Sequence, residues 1–299
     1  MRLAALAGAF ALVAATAATA PAGEVEIATT RGPVTLAASP ARVAAYDAAA
    51  IDTLLALGVT PVGVPEKLYD PDLAAAEQGA TPVGTLFEPD LEALSALAPD
   101  LIVVGGRSAP KFDAVAQVAP TIDMTISPDV AGDAKARLAA YGTLFGREAK
   151  AGELAAALDA QIAAAQAAAK GKGNALIVLT NGPKISAYGR GSRFGWLHDV
   201  IGLPEARPGL APETHGDAIS FEFIAEVNPD WLIVVDRGAA VGAEGASARE
   251  TLDNPLVNGT KAAKAGHIVY LDASKLYISG GGYTALSRTL AQMTAALEG

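Results

Sequence analysis

The chain has 299 residues, of which 51% are hydrophobic and 18% charged, and its formal net charge at pH 7 is −10. An apolar content this high excludes a disordered chain, and roughly 100–200 residues per domain predicts about two domains. The negative charge argues against nucleic acid or an anionic membrane surface as the main partner, because both favour basic proteins. The sequence contains no cysteine, which excludes disulfides, thiolate metal sites and cysteine nucleophiles.

Residues 1–22 have the pattern of a secretory signal peptide. Arg2 supplies one positive charge, an apolar run begins at Leu3, and small residues lead to a cleavage site after Ala20 or Ala22. A membrane anchor is the alternative, but the apolar run is too short to span a bilayer comfortably. The cleavage region also lacks the cysteine that a lipid anchor needs. We therefore expect a soluble, exported protein in the periplasm.

One sequence unit occurs twice along the chain. Its copies are Glu92 with Pro99-Asp100 and the apolar run 101–104, and Glu222 with Pro229-Asp230 and the apolar run 231–235. Each copy predicts a short helix that ends just before a proline, followed by a strand buried on both faces. Two widely spaced copies predict two similar α/β lobes rather than a solenoid, whose repeats lie closer together.

Strand-like apolar runs alternate with helix-like stretches, which favours α/β lobes with mostly parallel sheets. Residues 147–170 are rich in alanine and predict one long helix that ends at Gly171. A flexible linker is the alternative, but alanine is the best helix former. The predicted organisation is a signal peptide at 1–22, an N-terminal lobe at 23–146, an interlobe helix at 147–170 and a C-terminal lobe at 171–299. The predicted fold is thus two Rossmann-like α/β lobes joined by one long rigid helix.

The common enzyme signatures are missing from the sequence. It has no Gly-x-Ser-x-Gly elbow, no P-loop and no His-Glu-x-x-His motif. The loop 189–195 superficially resembles a dinucleotide loop, but its Gly-x-Gly-x-x-x-Gly spacing is a weak match. Its two arginines and the helix predicted after it favour an anion instead. We expect a protein that is not an enzyme; a periplasmic α/β enzyme using this loop as an anion hole is one alternative.

Three arginines occupy positions that suit an anionic ligand. Arg107 and Arg237 each follow the buried strand of one repeat copy, and Arg193 lies in the loop 189–195. Open α/β sheets bind ligands at the carboxyl ends of their strands, so the three arginines predict a cationic cleft in an acidic protein. The alternative is that each arginine is a surface charge or pairs with a nearby acid, such as Asp236 or Asp199.

Two further residues have side chains suited to Fe(III). His215 lies in a polar loop, and Tyr277 lies in a glycine-rich loop before the last predicted helix. Phenolate oxygen is a hard anionic donor, and neutral imidazole is a common iron ligand. A hydrogen-bonded loop histidine and a half-buried tyrosine remain open as interpretations. His198 in a predicted helix and His267 at the start of a predicted strand are interpreted as structural.

Several motifs together carry a resemblance to a known family. They are Val83-Gly-Thr-Leu-Phe-Glu-Pro-Asp-Leu-Glu92, Gly105-Gly-Arg107, Gly191-Ser-Arg-Phe-Gly195, Thr214-His-Gly216 with Ile219-Ser-Phe-Glu222, Val235-Asp-Arg237 and Leu276-Tyr-Ile-Ser-Gly-Gly-Gly282. In this order, and with the repeat and the export signal, they resemble class III periplasmic substrate-binding proteins of ABC importers. The narrower similarity is to the catecholate-siderophore branch, the CeuE/FatB-like group, over essentially all of the mature chain.

The resemblance implies a ligand and its contacts. The ligand is a ferric catecholate siderophore, which brings Fe(III) as part of its own complex, and no prosthetic group is implied. Arg107, Arg193 and Arg237 match the family's arginine triplet around the negatively charged ligand. Tyr188 is a possible further contact, although a core tyrosine is the commoner explanation. The general alternative is a binding protein of the same class for haem, cobalamin or a hydroxamate siderophore.

The resemblance also implies roles for four other residues. His215 and Tyr277 match the pair that completes the iron coordination sphere in some members. A bis-catecholate leaves two places on octahedral iron for such ligands, whereas a hexadentate tris-catecholate leaves none. Glu92 and Glu222 match the two glutamates that dock on arginines of the inner-membrane permease. We expect a monomer without a nucleic-acid partner, and the missing lipoprotein cysteine points to a Gram-negative periplasm.

Overall fold

The computed structural model describes residues 23–299, so the predicted signal peptide lies outside the described residues. The N-terminal part contains β1 (Glu24–Thr29), β2 (Gly32–Ala37), β3 (Val43–Ala45), α1 (Ala48–Ala56), β4 (Gly63–Val64), α2 (Ala74–Gly79), β5 (Thr81–Pro82), α3 (Leu91–Leu97), β6 (Leu101–Val104), α4 (Phe112–Val115), β7 (Thr121–Asp123) and α5 (Val130–Phe145). The rest contains α6 (Glu148–Ala169), β8 (Ala175–Asn181), β9 (Lys184–Tyr188), α7 (Trp196–Ile201), β10 (Asp217–Ile219), α8 (Phe221–Val227), β11 (Trp231–Asp236), α9 (Arg237–Val241), α10 (Ala248–Leu252), α11 (Pro255–Asn258), α12 (Lys261–Ala265), β12 (Ile268–Tyr270) and α13 (Tyr283–Glu298). None of the helices in this range is long and apolar enough to cross a membrane.

Each lobe is built on one five-stranded sheet. The N-terminal sheet has the order β5-β4-β3-β6-β7 and is parallel throughout. The C-terminal sheet has the order β10-β9-β8-β11-β12, in which β8, β11 and β12 are parallel while β9 and β10 are antiparallel. The two-residue turn Gly182-Pro183 joins β8 directly to β9, which only an antiparallel pair allows. The prediction of two α/β lobes with mostly parallel sheets is confirmed.

The sequence repeat places the same unit at the same position of each sheet. Helix α3 leads into β6 and helix α8 into β11, and both strands are the fourth of their sheet. Each helix ends in a left-handed residue directly before the proline, Ala98 (φ 48°) and Asn228 (φ 46°). Proline disfavours the helical conformation in the residue before it, so the helix ends there and the chain turns into the strand.

The aspartate after each proline ties the new strand to its neighbour. The Asp100 carboxylate accepts hydrogen bonds from the backbone N–H groups of Ala41 (2.8 Å) and Arg42 (2.9 Å), just before β3. The Asp230 carboxylate accepts one from the N–H of Asn174 (3.0 Å), just before β8. The repeated Pro-Asp pair therefore aligns the two central strands of each sheet, which fixes where their carboxyl ends lie.

Helix α6 runs from the N-terminal lobe to the first strand of the C-terminal sheet. It packs against α5, α7 and α13, and its buried residues recur at the spacing of one helix face: Ala151, Leu154, Leu158, Ala165 and Ala169. The last helix, α13, contacts both α6 and α1. The chain thus crosses back to the N-terminal lobe after β12, and the lobe boundaries at residues 146 and 170 stay a prediction.

A buried ion-pair cluster anchors this returning segment. The Lys275 ammonium pairs with Asp70 and, at 2.7 Å, with Asp72, while the Ser279 hydroxyl donates to Asp70 at 2.6 Å. Burial alone would lower the pKa of Lys275, but hydrogen bonds and charges from the two aspartates outweigh it and raise the pKa. Arg288 adds a second contact to Asp72 at 2.9 Å. Removing Lys275 would leave the buried Asp70 carboxylate without its cation, so the cluster holds the returning segment in place.

Helix α13 has its N-terminus capped by the other lobe. Its own N-cap residue, Gly282, has no side chain, and a Cβ there would overlap the Asp52 carboxylate. Asp52 of α1 instead accepts from the N–H of Ala285 at 3.0 Å, and the Thr53 hydroxyl accepts from the N–H of Tyr283 at 3.2 Å. Capping oxygens satisfy N–H groups that a helix leaves unpaired, so α1 and α13 are held together by polar contacts as well as packing.

Replacing Asp52 with asparagine is expected to change how stability depends on pH. Burial raises the pKa of Asp52 from 3.8 to about 6, because the hydrogen bond from Ala285 only partly offsets the loss of hydration. An acid with a raised folded pKa binds its proton more tightly when folded, so its stabilising contribution is present below its unfolded pKa and is lost as pH rises through about 6. This shift corresponds to about 3 kcal/mol at 1.36 kcal/mol per pKa unit. Relative to wild type, Asp52→Asn should therefore gain stability as pH rises, by up to that amount.

Urea unfolding of both proteins at pH 4.5 and pH 7.5 measures this difference. Asparagine keeps an oxygen that can accept from the N–H of Ala285, so the cap survives the substitution. Asp113→Asn is the control, because the Asp113 side chain is 94% exposed and lies outside this helix cap. A stability difference between Asp52→Asn and wild type that is the same at both pH values contradicts the prediction.

Candidate functional site

The fourth strand of each sheet delivers one arginine to the same region. Arg107 follows β6 after the turn Gly105-Gly106, and Arg237 is the first residue of α9, directly after β11. Both side chains are half-buried. The repeat therefore places two guanidinium groups at equivalent carboxyl edges, one in each lobe, where open α/β sheets bind ligands.

The loop 189–195 is a tight turn that precedes α7. Ser192 donates both its N–H (3.2 Å) and its hydroxyl (2.5 Å) to the carbonyl oxygen of Gly189. A side chain at position 195 would overlap that same oxygen, so Gly195 is required by the turn. The glycine spacing that resembles a dinucleotide loop thus serves the geometry of this turn.

The two arginines of this loop have different surroundings. Arg190 pairs with Asp199, and its guanidinium lies 3.5 Å from the Glu205 carboxylate, which also accepts from the Arg190 N–H at 2.9 Å. Arg193 is half-buried and donates to the carbonyl oxygen of Tyr277 at 2.6 Å. Arg190 is therefore held by acids of its own lobe, whereas Arg193 points towards the arginines of the two strands.

Three guanidinium groups surround the ring of Tyr277. The guanidinium carbon lies 4.2 Å from the ring centroid for Arg193, 5.2 Å for Arg107 and 5.7 Å for Arg237. All three distances are within the range of cation–π attraction, which is worth about 0.5–2 kcal/mol depending on solvation. We call the three arginines together with Tyr277 the arginine cage.

Hydrogen bonds fix the arrangement of the cage. Arg107 donates to the carbonyl oxygens of Tyr277 (2.5 Å) and Ile278 (3.5 Å), and Arg193 shares the first of these acceptors. Arg237 donates from Nε to the Tyr277 hydroxyl at 3.0 Å and from Nη1 to the Asn181 side-chain oxygen at 3.3 Å. Every partner is a neutral oxygen, so the positive charges are oriented without being neutralised.

Within residues 23–299, no carboxylate lies within ion-pair distance of the three cage arginines. Asp236 instead caps α9 through the N–H of Ala239 (3.0 Å) and also accepts from the N–H of Ala248 (2.7 Å). Asp199 is engaged by Arg190. The alternative in which the arginines pair with Asp236 or Asp199 is therefore wrong.

The crowding of cations changes the pKa values of the cage. Burial lowers the pKa of Arg107, and the neighbouring Arg193 lowers it further, against the opposing effects of Tyr277 and Asp47. Burial raises the pKa of the Tyr277 hydroxyl, but the hydrogen bond from Arg237 and the three positive charges outweigh it and lower the pKa overall. The cage thus favours a negative oxygen at its centre.

Tyr277 is part of a turn of π-helix, Ser274–Ile278, and not of the glycine-rich loop that the sequence predicted. The glycines follow this turn, and Gly281 (φ 90°) lies so close to Ile126 that a side chain there would clash. Such π-helical turns are rare and occur mostly at functional sites. The Tyr277 carbonyl in this turn accepts from Arg107 and Arg193, which hydrophobic periodicity alone does not indicate.

Tyr188 and His215 are joined through the protein backbone. Tyr188 is 3% exposed, its ring contacts Phe194 edge-on at 4.7 Å, and its hydroxyl donates to the His215 carbonyl oxygen at 3.0 Å. The side chain of His215 is exposed and makes no hydrogen bond or ion pair within the part of the chain that the structure describes. The structure therefore gathers Tyr277 and the arginines, while His215 lies on a loop that Tyr188 supports.

The other histidines are structural, as the sequence predicted. His198 of α7 is buried and its Nδ1 lies 2.9 Å from the Leu203 carbonyl oxygen. Burial lowers the pKa of His198. His267 stacks on Trp231 with a ring distance of 3.9 Å. In the described range, no group of three or more histidine, aspartate or glutamate side chains could hold a metal ion.

Glu92 and Glu222 occupy matching surface positions. Each is the exposed second residue of its helix, α3 or α8, after an N-cap side chain, Asp90 or Ser220, that accepts from the helix backbone. Hydrogen bonds from its own backbone N–H and from Ser220 lower the pKa of Glu222. The two carboxylates are thus presented identically by the two lobes.

Sequence reasoning missed Asn181, which orients Arg237. It ends β8 at the same carboxyl edge as Arg237, so the rule that identified the arginines could also have identified it. The carbonyl acceptors of Tyr277 and Ile278 carry no signal in the sequence, because every residue has a carbonyl group.

Comparison with known proteins places this architecture in a family. Residues 43–275 match the family described as periplasmic binding protein. The petrobactin-binding protein YclQ of Bacillus subtilis is 33% identical over 87% of this chain and 83% of its own length. The ferric-anguibactin-binding protein FatB of Vibrio anguillarum is 31% identical over 85% and 82% of the two chains.

The chain is also similar to solved structures of siderophore-binding proteins. The crystal structure of YclQ has a TM-score of 0.88 and 31% identity, covering 93% of this chain and 99% of its own. The catecholate-siderophore-binding protein VctP of Vibrio cholerae has a TM-score of 0.87 and 33% identity, covering 91% and 100%. With its two-lobed fold and its sequence match over most of its length, this chain belongs to the periplasmic binding protein family.

Proposed function

We propose that the protein captures a ferric catecholate siderophore in the cleft between its lobes and delivers it to an ABC importer, without acting as an enzyme. The observation that carries this proposal is the arginine cage, in which three half-buried cations from two lobes have no carboxylate partner in the described chain. Half-buried charges need a counter-charge, and the oxygens of a ferric catecholate supply one. The siderophores named for YclQ and FatB support a siderophore as ligand, and the catecholate siderophore named for VctP supports this ligand class.

The charge of the cage discriminates among the ligands of this class. A neutral hydroxamate complex does not need three guanidinium groups, whereas a ferric catecholate is an anion. Hydrogen bonds to charged groups contribute about 1.5–3 kcal/mol each, so exchanging the neutral carbonyl acceptors for anionic oxygens favours binding. Tyr188, which is buried beneath the His215 loop, acts in this proposal as a support for the cleft.

We further propose that Tyr277 and His215 complete the coordination of the iron when the siderophore is tetradentate. The lowered pKa of the Tyr277 hydroxyl eases loss of its proton, and phenolate is a good donor to Fe(III). In this proposal the exposed His215 imidazole turns towards the ligand when the complex binds. The iron enters with its siderophore, as cargo.

The ligand proposal is tested by titrating the protein with a ferric tetradentate bis-catecholate while following tryptophan fluorescence. Arg193→Gln should weaken binding about 10- to 100-fold, the equivalent of one charge-assisted hydrogen bond. Arg190→Gln is the matched control, because Arg190 lies in the same loop but pairs with Asp199 and Glu205. Arg107→Gln and Arg237→Gln should behave like Arg193→Gln.

Two outcomes contradict the ligand proposal. The first is equal affinity of the wild-type protein for the bis-catecholate complex and for a neutral ferric hydroxamate. The second is an Arg193→Gln variant that binds the anionic complex as tightly as Arg190→Gln does. Ferric citrate, haem and cobalamin complete the ligand panel.

The coordination proposal has its own spectroscopic test. The double variant His215→Ala, Tyr277→Phe should shift the visible charge-transfer band of the bound ferric bis-catecholate and weaken its binding. A hexadentate ferric tris-catecholate is the matched ligand control, since it leaves no place on the iron and its band should not change. If the charge-transfer band and the affinity for the bis-catecholate complex are both unchanged in the double variant, the coordination proposal is contradicted.

Delivery to the importer is proposed to occur in the periplasm, after removal of residues 1–22, by a monomer that docks through Glu92 and Glu222. Both carboxylates are exposed at matching helix starts, as two arginines on a permease would require. Glu92→Lys and Glu222→Lys should abolish siderophore-stimulated ATP hydrolysis by the reconstituted importer while leaving ligand affinity unchanged. Glu226→Lys, an exposed substitution on α8, is the control. Full stimulation by the double variant contradicts the docking proposal.

A further inference from the structure

The segment 65–70 lies at the same edge of the N-terminal sheet as Arg107. It follows β4, which is parallel to β3 and β6, so its residues leave the sheet at the carboxyl ends of the strands. Its last residue, Asp70, contacts Lys275 and Ser279, which stand two positions before and two positions after Tyr277. The segment is therefore attached on both sides of the turn that the arginine cage surrounds.

Tyr69 in this segment has an unusual backbone and an unusual exposure. Its φ of 60° is a left-handed conformation that a bulky residue rarely adopts and that costs about 1–3 kcal/mol. Its neighbours hold it there, because Leu68 is fully buried and Asp70 is 4% exposed and paired. Tyr69 itself is 37% exposed. The fold thus keeps an aromatic ring exposed at the expense of backbone strain, one residue before the aspartate that contacts both sides of the Tyr277 turn.

Lys67 lies against this ring. Its ammonium nitrogen is 4.5 Å from the ring centroid of Tyr69, on one face of the ring. Lys67 is exposed and has no ion pair within residues 23–299. One face of the ring is thus covered by a cation, and the pair presents an aromatic surface together with a positive charge.

We propose that Tyr69 and Lys67 form an aromatic, cationic wall of the ligand cleft that selects ferric complexes of aromatic chelators over aliphatic ones. This inference rests on the proposed function. The ring of Tyr69 packs against a catechol ring of the ligand, an interaction available to catecholates and absent for citrate. Lys67 attracts any anionic complex. The selectivity between the two ligand classes therefore lies in Tyr69 and not in the arginines.

The test compares the affinities of a ferric bis-catecholate and of ferric citrate for three variants. Tyr69→Asn removes the ring while keeping a residue that tolerates a positive φ, and Tyr69→Phe keeps the ring. Aromatic pairs contribute about 0.5–1.5 kcal/mol, so Tyr69→Asn should weaken bis-catecholate binding about 2- to 10-fold and leave citrate unchanged. Tyr69→Phe should bind both like wild type. Lys67→Gln should weaken both ligands, and more so at low salt.

The controls separate this inference from the proposed function. Wild-type protein that binds neither complex overturns both. Wild-type and Tyr69→Asn proteins that bind the bis-catecholate equally, while Arg193→Gln loses it, overturn the inference alone. A Tyr69→Asn variant that loses both ligands equally also overturns it, because the residue then acts on the fold; thermal unfolding of Tyr69→Asn and Tyr69→Phe reports that effect directly.

Discussion

The carbonyl oxygen of Tyr277 accepts hydrogen bonds from an arginine of each lobe, Arg107 and Arg193, and the arrangement of the arginine cage depends on this shared acceptor. Two guanidinium groups of like charge repel each other, so they remain close only where a common acceptor and an aromatic ring hold them. The hydroxyl of the same residue holds the third, Arg237. A single residue thus organises three cations through its backbone carbonyl, its aromatic ring and its hydroxyl group.

The position of Tyr277 in turn depends on buried contacts that cross between the lobes. Asp70 binds Lys275 and Ser279 on either side of it, and Asp52 caps the helix that follows. Buried polar groups of this kind add little net stability when paired, but they are costly to break one at a time. Their effect is therefore on geometry, because they fix the position of the turn that carries Tyr277.

The sequence predicts the parts of this fold that depend on local patterns. The helix ends before Pro99 and Pro229 and the strands after them follow from steric effects and burial periodicity, and the structure confirms the two lobes they imply. It does not predict the antiparallel strands β9 and β10, because burial periodicity does not report strand direction.

At the candidate site, the sequence predicts which arginines follow strands but not what they touch. The carbonyl of Tyr277 is chemically the same as every other carbonyl, and the π-helical turn that directs it has no recognisable pattern. The different partners of Arg190 and Arg193 are likewise not visible in the sequence. Both lie in one loop, and only the tertiary contacts with Asp199 and Glu205 distinguish them. Long-range polar contacts are therefore the part of this site that local sequence patterns do not encode.

The two connections between the lobes also limit how the cleft can work. Helix α6 is one rigid crossing, and the returning segment with its Asp70–Lys275 pair is a second. Two crossings oppose a wide hinge motion, so the proposed binding relies on groups that are already in place. Pre-oriented guanidinium groups meet this requirement, since their ordering cost is met during folding and not during binding. A pre-oriented, cationic cage of this kind suits the proposed capture of a bulky, anionic metal complex better than the capture of a flexible substrate.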